Sequence, residues 1–326
     1  MTKGAAGLAT LAFGLVVAVS MAQPPAADRF PARTVTIVVP YPAGGSNDVF
    51  ARELATRLSD DWKVPVIVDN RPGAGGTIGA GLVARGVPDG YTICLLSSSF
   101  TTNAAVQPSL PFDPVNDFAP VAMVARGPML LTVANDLPVH TTLELFAFAR
   151  KHPGKLNYAS SGVGSTNHFA TQLLLDAAQV RMTHVPYKGM TPAVTDLIGG
   201  HVDVLVASAP SIYSQVKAGK VRALGVTSAQ ASPVVPGLLP LDEMGVPGYH
   251  FELWWGVLAP ARTPPERVAS INAAINRAIA TPEVRAVFER EGAEPAPMGA
   301  AEFAATIRRE IAGWKKVARE ADIRAE

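Results

Sequence analysis

Two short glycine-bearing stretches carry the densest chemistry in this chain. The first is Pro40-Tyr41-Pro42-Ala43-Gly44-Gly45-Ser46-Asn47-Asp48, and the second is Ser161-Gly162-Val163-Gly164-Ser165-Thr166. Both offer backbone, hydroxyls and little bulk. A β-branched run, Arg33-Thr-Val-Thr-Ile-Val-Val39, enters the first, and Phe50, Leu54 and Leu58 then recur at helical spacing from Asp48 onward. Leu156-Asn-Tyr-Ala-Ser160 enters the second as a strand, and Asn167 to Ala178 leaves it as a helix. A strand, a glycine loop and a helix start leave free N–H groups aimed at one place. The helix dipole adds partial positive charge there. Each stretch therefore reads as a seat for an anion. They lie about 120 positions apart, which predicts two α/β lobes facing one cleft.

Other residues offer competing chemistry. Ser160, Ser161 and Ser165 stand near His168, so an exported serine hydrolase is a second reading. It needs a base held by a third group, and no Gly-x-Ser-x-Gly elbow is present. His152, His168, His184 and His201 fall on different predicted elements, which favours packing or capping over zinc. Cys94 is the single cysteine. It lies in an apolar strand and reads as a small core residue. Gly73-Ala-Gly-Gly76-Thr-Ile-Gly79 has its third glycine one place too late for a dinucleotide loop and reads as close backbone packing near the cleft. Ser97-Ser-Ser-Phe-Thr-Thr-Asn103 ends a strand and reads as ligand contacts through Ser98 and Ser99, or as a solvated loop. Asp48 either caps its helix through the N2 or N3 N–H or meets the ligand. Tyr187-Lys188 follows another strand, with Tyr187 a candidate ligand contact and Lys188 pairing a second ligand carboxylate or a surface acid.

The elements that must position these residues alternate along 326 residues, enough for about two domains. Residues 1–22 read as an export signal: Lys3, an apolar run, then Ser20-Met21-Ala22, with cleavage after Ala22. Export without disulfides fits a Gram-negative periplasm. Net charge is +1, from 28 basic and 27 acidic residues, which argues against nucleic acid or an acidic membrane surface as partner. Strands and helices alternate from Thr34 to about Gln215, which predicts parallel sheets flanked by helices, with ligands at the strands' carboxyl ends. Residues 118–124 and 129–133 read as two strands split by Arg126-Gly127-Pro128, a crossover between lobes. Residues 229–249 read as a connecting loop and 251–258 as a strand returning to the first lobe. The expected lobes are 30–126 plus 250–326, and 127–249. Hinge crossovers are expected near 124–130 and 226–252.

Seven segments, in order, resemble the Bug family of periplasmic solute-binding proteins, the receptors of tripartite tricarboxylate transporters. They are Val39-Pro-Tyr-Pro-Ala-Gly-Gly-Ser-Asn-Asp48, Asn70-Arg-Pro-Gly-Ala-Gly-Gly76, Pro88-Asp-Gly-Tyr91, Asn157-Tyr-Ala-Ser-Ser-Gly162, His184-Val-Pro-Tyr-Lys-Gly189, Asp196-Leu-Ile-Gly-Gly200 and Trp255-Gly-Val-Leu-Ala-Pro260. The resemblance implies an α/β, two-lobed periplasmic-binding-protein fold, a Venus flytrap, that closes on a small carboxylate. It places Tyr41, Gly44, Gly45, Ser46 and Asp48 at the first loop. Ser160, Ser161, Gly164, Ser165 and Thr166 would form the second. Asn47 departs from the family's usual Thr or Ser and replaces a hydroxyl with an amide. A membrane permease is the implied partner; a sensor docking on a membrane kinase is a third reading. We expect a monomer with no catalytic residue, metal or cofactor. The ligand is open among carboxylates, aromatic acids and amino acids. Few Arg or Lys residues at the seats argue against a tricarboxylate.

Overall fold

The computed structural model describes residues 1–2, 30–107 and 109–324. Residues 3–22 of the expected export signal, and its cleavage point, lie outside them. The chain first lays down β1 (Val35–Val39), α1 (Ser46–Trp62), β2 (Val66–Asn70), α2 (Thr77–Ala84), β3 (Thr92–Ser97) and α3 (Ser99–Val106). The β-branched β1 is buried on both faces and pairs in parallel with β2 and β3. Phe50, Leu54, Leu58 and Trp62 form the buried stripe of α1.

A long strand, β4 (Phe118–Ala134), follows. It is one strand where two were expected. From Phe118 to Pro128 it pairs with β9 (Glu252–Pro260), and from Met129 it pairs with β7 (Val204–Ser208) and β8 (Val221–Val226). Pro128 falls at the last pair with β9, where a missing N–H breaks little of the ladder. The strand thus runs out of one lobe and into the other.

Between β4 and β8 the second lobe adds α4 (Thr142–Lys151), β5 (Asn157–Ser160), α5 (Thr166–Ala178), β6 (Thr183–Pro186), α6 (Met190–Ile198) and α7 (Ala209–Lys217). A full capping box, Thr141 with Glu144, starts α4. After β9 the chain returns to the first lobe through α8 (Pro265–Ile279), α9 (Pro282–Arg290), β10 (Glu294–Pro295) and α10 (Ala300–Glu320). The sheet order is β2-β1-β3-β9-β4-β7-β5-β6, with β8 and β10 also on β4. Parallel pairs occupy the two ends, and every antiparallel pair contains β4 or β9. The expected α/β two-lobed class stands, with mixed rather than mostly parallel sheets.

Each lobe has apolar cores on both faces of its sheet. Phe50, Trp255 and Phe288 pack one face of the first lobe; Phe100, Trp254 and Phe303 pack the other. Phe146, Tyr158 and Leu174 play that part in the second lobe, opposite Leu197, Leu205 and Ile212. Fully burying one such side chain contributes about 1.5–3 kcal/mol. Phe169 of α5 meets Ala318 and Ile323 at the end of α10, which joins the lobes along one side.

Thr227 ties the crossings together. Its N–H donates to Met129 O at 2.9 Å, and its hydroxyl accepts from Met129 N–H at 2.8 Å. Its carbonyl accepts from Phe251 N–H at 2.7 Å. The polar run 97–103, read as a strand end or loop, is the tip of β3 and the start of α3. Thr101 and Thr102 are buried there because their hydroxyls donate to Ser98 O and Ser99 O. Among the described residues no helix is long and apolar enough to cross a membrane.

Candidate ligand-binding cleft

The first glycine loop is a wound collar held by Asp48. Helix α1 starts at Ser46, two residues earlier than read, so Gly45 occupies the N-cap position and Asp48 is the third helical residue. Its carboxylate reaches backward instead of capping. Oδ2 accepts from Gly44 N–H at 2.9 Å and from Arg52 Nε at 2.9 Å, while Oδ1 accepts from Asn70 Nδ2 at 3.0 Å. Burial pushes this carboxyl up, but the Arg52, Gly44 and Asn70 bonds outweigh it and hold it below the usual carboxylate range. Gly44 takes φ +87°, the left-handed region that glycine adopts freely. The N–H groups of Gly45, Ser46 and Asn47 have no protein partner among the described residues. Ser46 donates to Glu291 Oε2 at 2.9 Å, and Asn47 Oδ1 is buried without a partner.

Tyr41 leaves the same loop toward α3. Its hydroxyl lies 2.7 Å from Ser99 Oγ and 3.2 Å from Ser97 Oγ, and the two serines are 3.0 Å apart. Burial raises the Tyr41 phenol, so it stays protonated. Gly76, at φ +99°, lets the backbone lie against the Tyr41 ring. A Cβ on Gly79 would sit 2.8 Å from Arg71 O and 2.9 Å from Pro40 Cβ. The second glycine pattern is therefore the close packing that its spacing suggested.

The second loop is built around histidines. Ser160 is fully buried, and its Oγ lies 2.6 Å from His184 Nε2. Gly164 N–H donates to His168 Nδ1 at 3.1 Å, and the two imidazoles stack at 3.9 Å. Burial pushes both histidines down to about 4, so they are neutral at pH 7. Ser165 Oγ donates to Gly162 O at 2.6 Å. Gly164 takes φ +74°, and a Cβ there would lie 2.6 Å from Val106 of α3 across the lobes.

A cleft of about 310 Å³ lies between the lobes. Tyr41, Gly75, Ser99 and Asn103 line it from the first lobe; Ser161, Ser165, Thr166, Asn167, Met190 and Ser208 line it from the second. Met129 of β4 and Leu253 of β9 close its back. None of these side chains is charged. The site can offer hydroxyls, amides, backbone N–H groups and the N-terminus of α5 to a small anion. Leaving a buried donor without a partner costs about 1–3 kcal/mol, which a ligand would recover. A larger hollow of about 600 Å³ lies beside β9 and α10, away from both glycine loops.

Nucleophilic catalysis finds little support in this geometry. Ser160 has a histidine at hydrogen-bond distance, but its hydroxyl is inaccessible and also donates to Gly162 O. No carboxylate bonds His184 among the described residues. His168, the base named from the sequence, accepts a backbone N–H instead of a serine proton. Burial pushes the Cys94 thiol far up, which leaves it unreactive.

Comparison with known proteins completes the picture. Residues 50–323 match the family model described as the tripartite tricarboxylate transporter family receptor. The chain belongs to this receptor family. BugT of Bordetella pertussis is 35% identical over 310 residues, 94% of this chain and 95% of that protein. An R. palustris protein solved with adipate, Rpa4515, is 38% identical at a TM-score of 0.79 and covers 90% of this chain and 99% of its own. MatC of Rhodopseudomonas palustris, solved with malate, is 34% identical at a TM-score of 0.74, over 88% and 99% of the two chains.

The receptor brings some expected site residues to the cleft and holds others behind it. Tyr41, Ser99, Ser161, Ser165 and Thr166 line it together. Gly44, Gly45, Ser46, Asn47 and Asp48 are not among its lining residues. Asp48 is 4% exposed with both oxygens engaged, so the capping reading gives way to a clasp on its own loop. Ser98 and Ser160 are buried beneath it, and Gly164 packs on Val106. Tyr187 donates its hydroxyl to Asp196 at 2.6 Å; burial first, and this bond second, push its phenol up to about 12. Lys188 is exposed. Sequence reasoning missed Gly75, Asn103, Met129, Asn167, Met190, Ser208 and Leu253. Asn167 carried a signal: it follows directly on the second loop.

Proposed function

We propose that this chain is a periplasmic receptor that captures a small organic carboxylate between its lobes and delivers it to a tripartite tricarboxylate transporter-type permease. The observation that carries the reading is the uncharged cleft shared by both lobes, with the first turn of α5 opening on it. Adipate and malate, held by two similar proteins, are both small carboxylates. In this reading the first loop's free N–H groups at Gly45, Ser46 and Asn47 join on closure. Tyr41, Ser99, Ser161, Ser165 and Thr166 make the remaining polar contacts. Ser98, Ser160, Gly164 and Tyr187 shape the loops, and Gly44 and Asp48 set the collar. The lobes are 30–126 plus 250–326, and 127–249, hinged near 124–130 and 226–252. Residues 1–22 are the export signal, cut after Ala22. The protein acts as a monomer, without cofactor, metal or catalytic step. Closure follows because the ligand gains contacts in the closed state that it lacks in the open one.

The test is thermal-shift screening of the mature chain against an organic-acid panel. At least one acid raises Tm with concentration, as mass action requires. A panel of mono-, di- and tricarboxylates that leaves Tm unmoved overturns the reading. Pull-down separates a permease partner from a kinase partner.

A further inference from the structure

We propose that the Asn167 side-chain amide is the donor that makes the cleft select a carboxylate terminus, and that Met129, Met190 and Leu253 select an apolar body behind it. The inference rests on the reading of the cleft as a carboxylate site, and names the residue and ligand type within it.

Most polar side chains in the cleft already have partners. Tyr41 and Ser99 bond each other, Ser208 Oγ lies 2.7 Å from Ser211 Oγ, and Asn103 Nδ2 donates to Gly75 O at 2.8 Å. Asn167 differs. It is 3% exposed, and its Nδ2 is buried with no partner. Its orientation is fixed by Ser161. The Ser161 N–H at 3.4 Å and hydroxyl at 2.8 Å both reach Oδ1. A backbone N–H can only donate, so the amide oxygen must face it and the nitrogen must face away. Asn167 is also the second residue of the 13-residue helix α5, and the N–H groups of Thr166 and Asn167 have no protein partner among the described residues.

Three donors and the positive end of a helix therefore converge at one end of the cleft. A group that only accepts fits there: a carboxylate oxygen. An amine or amide N–H would meet donors. Elsewhere in the cleft lining, Met129, Met190 and Leu253 offer no partner to a hydroxyl, which would lose its water unreplaced. The preferred ligand is a carboxylate on an unsubstituted carbon chain, ahead of a hydroxylated acid of similar length.

Isothermal titration of the mature protein with adipate, and with succinate against malate at equal chain length, tests this. Wild type binds succinate at least about tenfold more tightly than malate. Asn167→Asp preserves size and the acceptor facing Ser161, but turns the inward donor into a charged acceptor. It weakens adipate binding by about 100-fold or more, because like-charge repulsion adds to the lost charge-assisted bond. Asn167→Ala, which adds no charge, loses about tenfold. Unchanged far-ultraviolet circular dichroism and Tm separate these losses from misfolding. Adipate binding within threefold of wild type in both variants overturns the Asn167 assignment and leaves the receptor reading standing. Malate bound as tightly as succinate overturns the apolar-body assignment. A wild type that binds none of the three, nor any acid of the panel, overturns the receptor reading and this inference with it.

Discussion

Asp48 shows what a single residue can do that its sequence neighbours do not reveal. Its local spacing offered a helix cap or a ligand contact. Its actual partners include Asn70, which becomes adjacent only because β1 and β2 pair in parallel. Asp48→Asn must set its amide donor against another donor, either Asn70 Nδ2 or Gly44 N–H and Arg52, and lowers stability by about 1–3 kcal/mol in chemical denaturation. Gly45 and Gly44 separate binding from folding at the same loop. Gly45 has φ −85°, and only Pro42 O lies near a Cβ built there, at 3.9 Å. Gly45→Val therefore folds with near-native Tm, covers the loop's free N–H groups and loses most of the ligand-induced thermal shift. Gly44 has φ +87°, so Gly44→Val adds a backbone penalty of about 1–2 kcal/mol and a lower Tm without ligand. Equal Tm losses in the two variants would contradict this division.

At the level of elements, most of the alternation was legible because apolar periodicity and glycine or proline stops coincide. Helix α3 was not, since four of its first five residues, Ser99, Thr101, Thr102 and Asn103, are polar and resemble a loop. Two threonines bond their own backbone and face the core, which composition does not encode. The unbroken β4 was hidden for a different reason. Gly127-Pro128 normally ends a strand, and here it marks a change of partners. Thr227 holds that seam. Thr227→Val keeps the shape but strands the Met129 N–H, and lowers stability by about 1–3 kcal/mol in urea denaturation. A loss below about 0.5 kcal/mol, the ordinary surface range, would show that the seam does not depend on this hydroxyl.

For the whole molecule, the two lobes and their facing loops were readable from two repeats of strand, glycine loop and helix. The histidine pair beneath the second loop was not, because His168 and His184 meet only once β5 and β6 align Tyr158 with His184. The pair sets an acid limit. In the unfolded chain each histidine titrates near 6.5, and burial moves this down to about 4 in the fold. Protons therefore bind the unfolded chain first. Stability is fully present above about pH 6.5 and is lost as pH falls toward 4, by up to about 1.4 kcal/mol per pH unit for His168. The half-buried His184 contributes less. Denaturation midpoints at pH 7 and pH 5 check the slope, which His168→Phe reduces.

The absence, among the described residues, of any charged side chain lining the cleft has a kinetic consequence. With a net charge of only +1 over the full chain, the protein exerts little long-range pull on an approaching anion. Encounter then depends on diffusion and on metabolite concentration. The association rate measured by stopped flow stays nearly level between about 0.05 and 0.5 M sodium chloride, a range over which the Debye length shrinks severalfold. Recognition begins only at contact, where fixed dipoles replace the water the anion sheds.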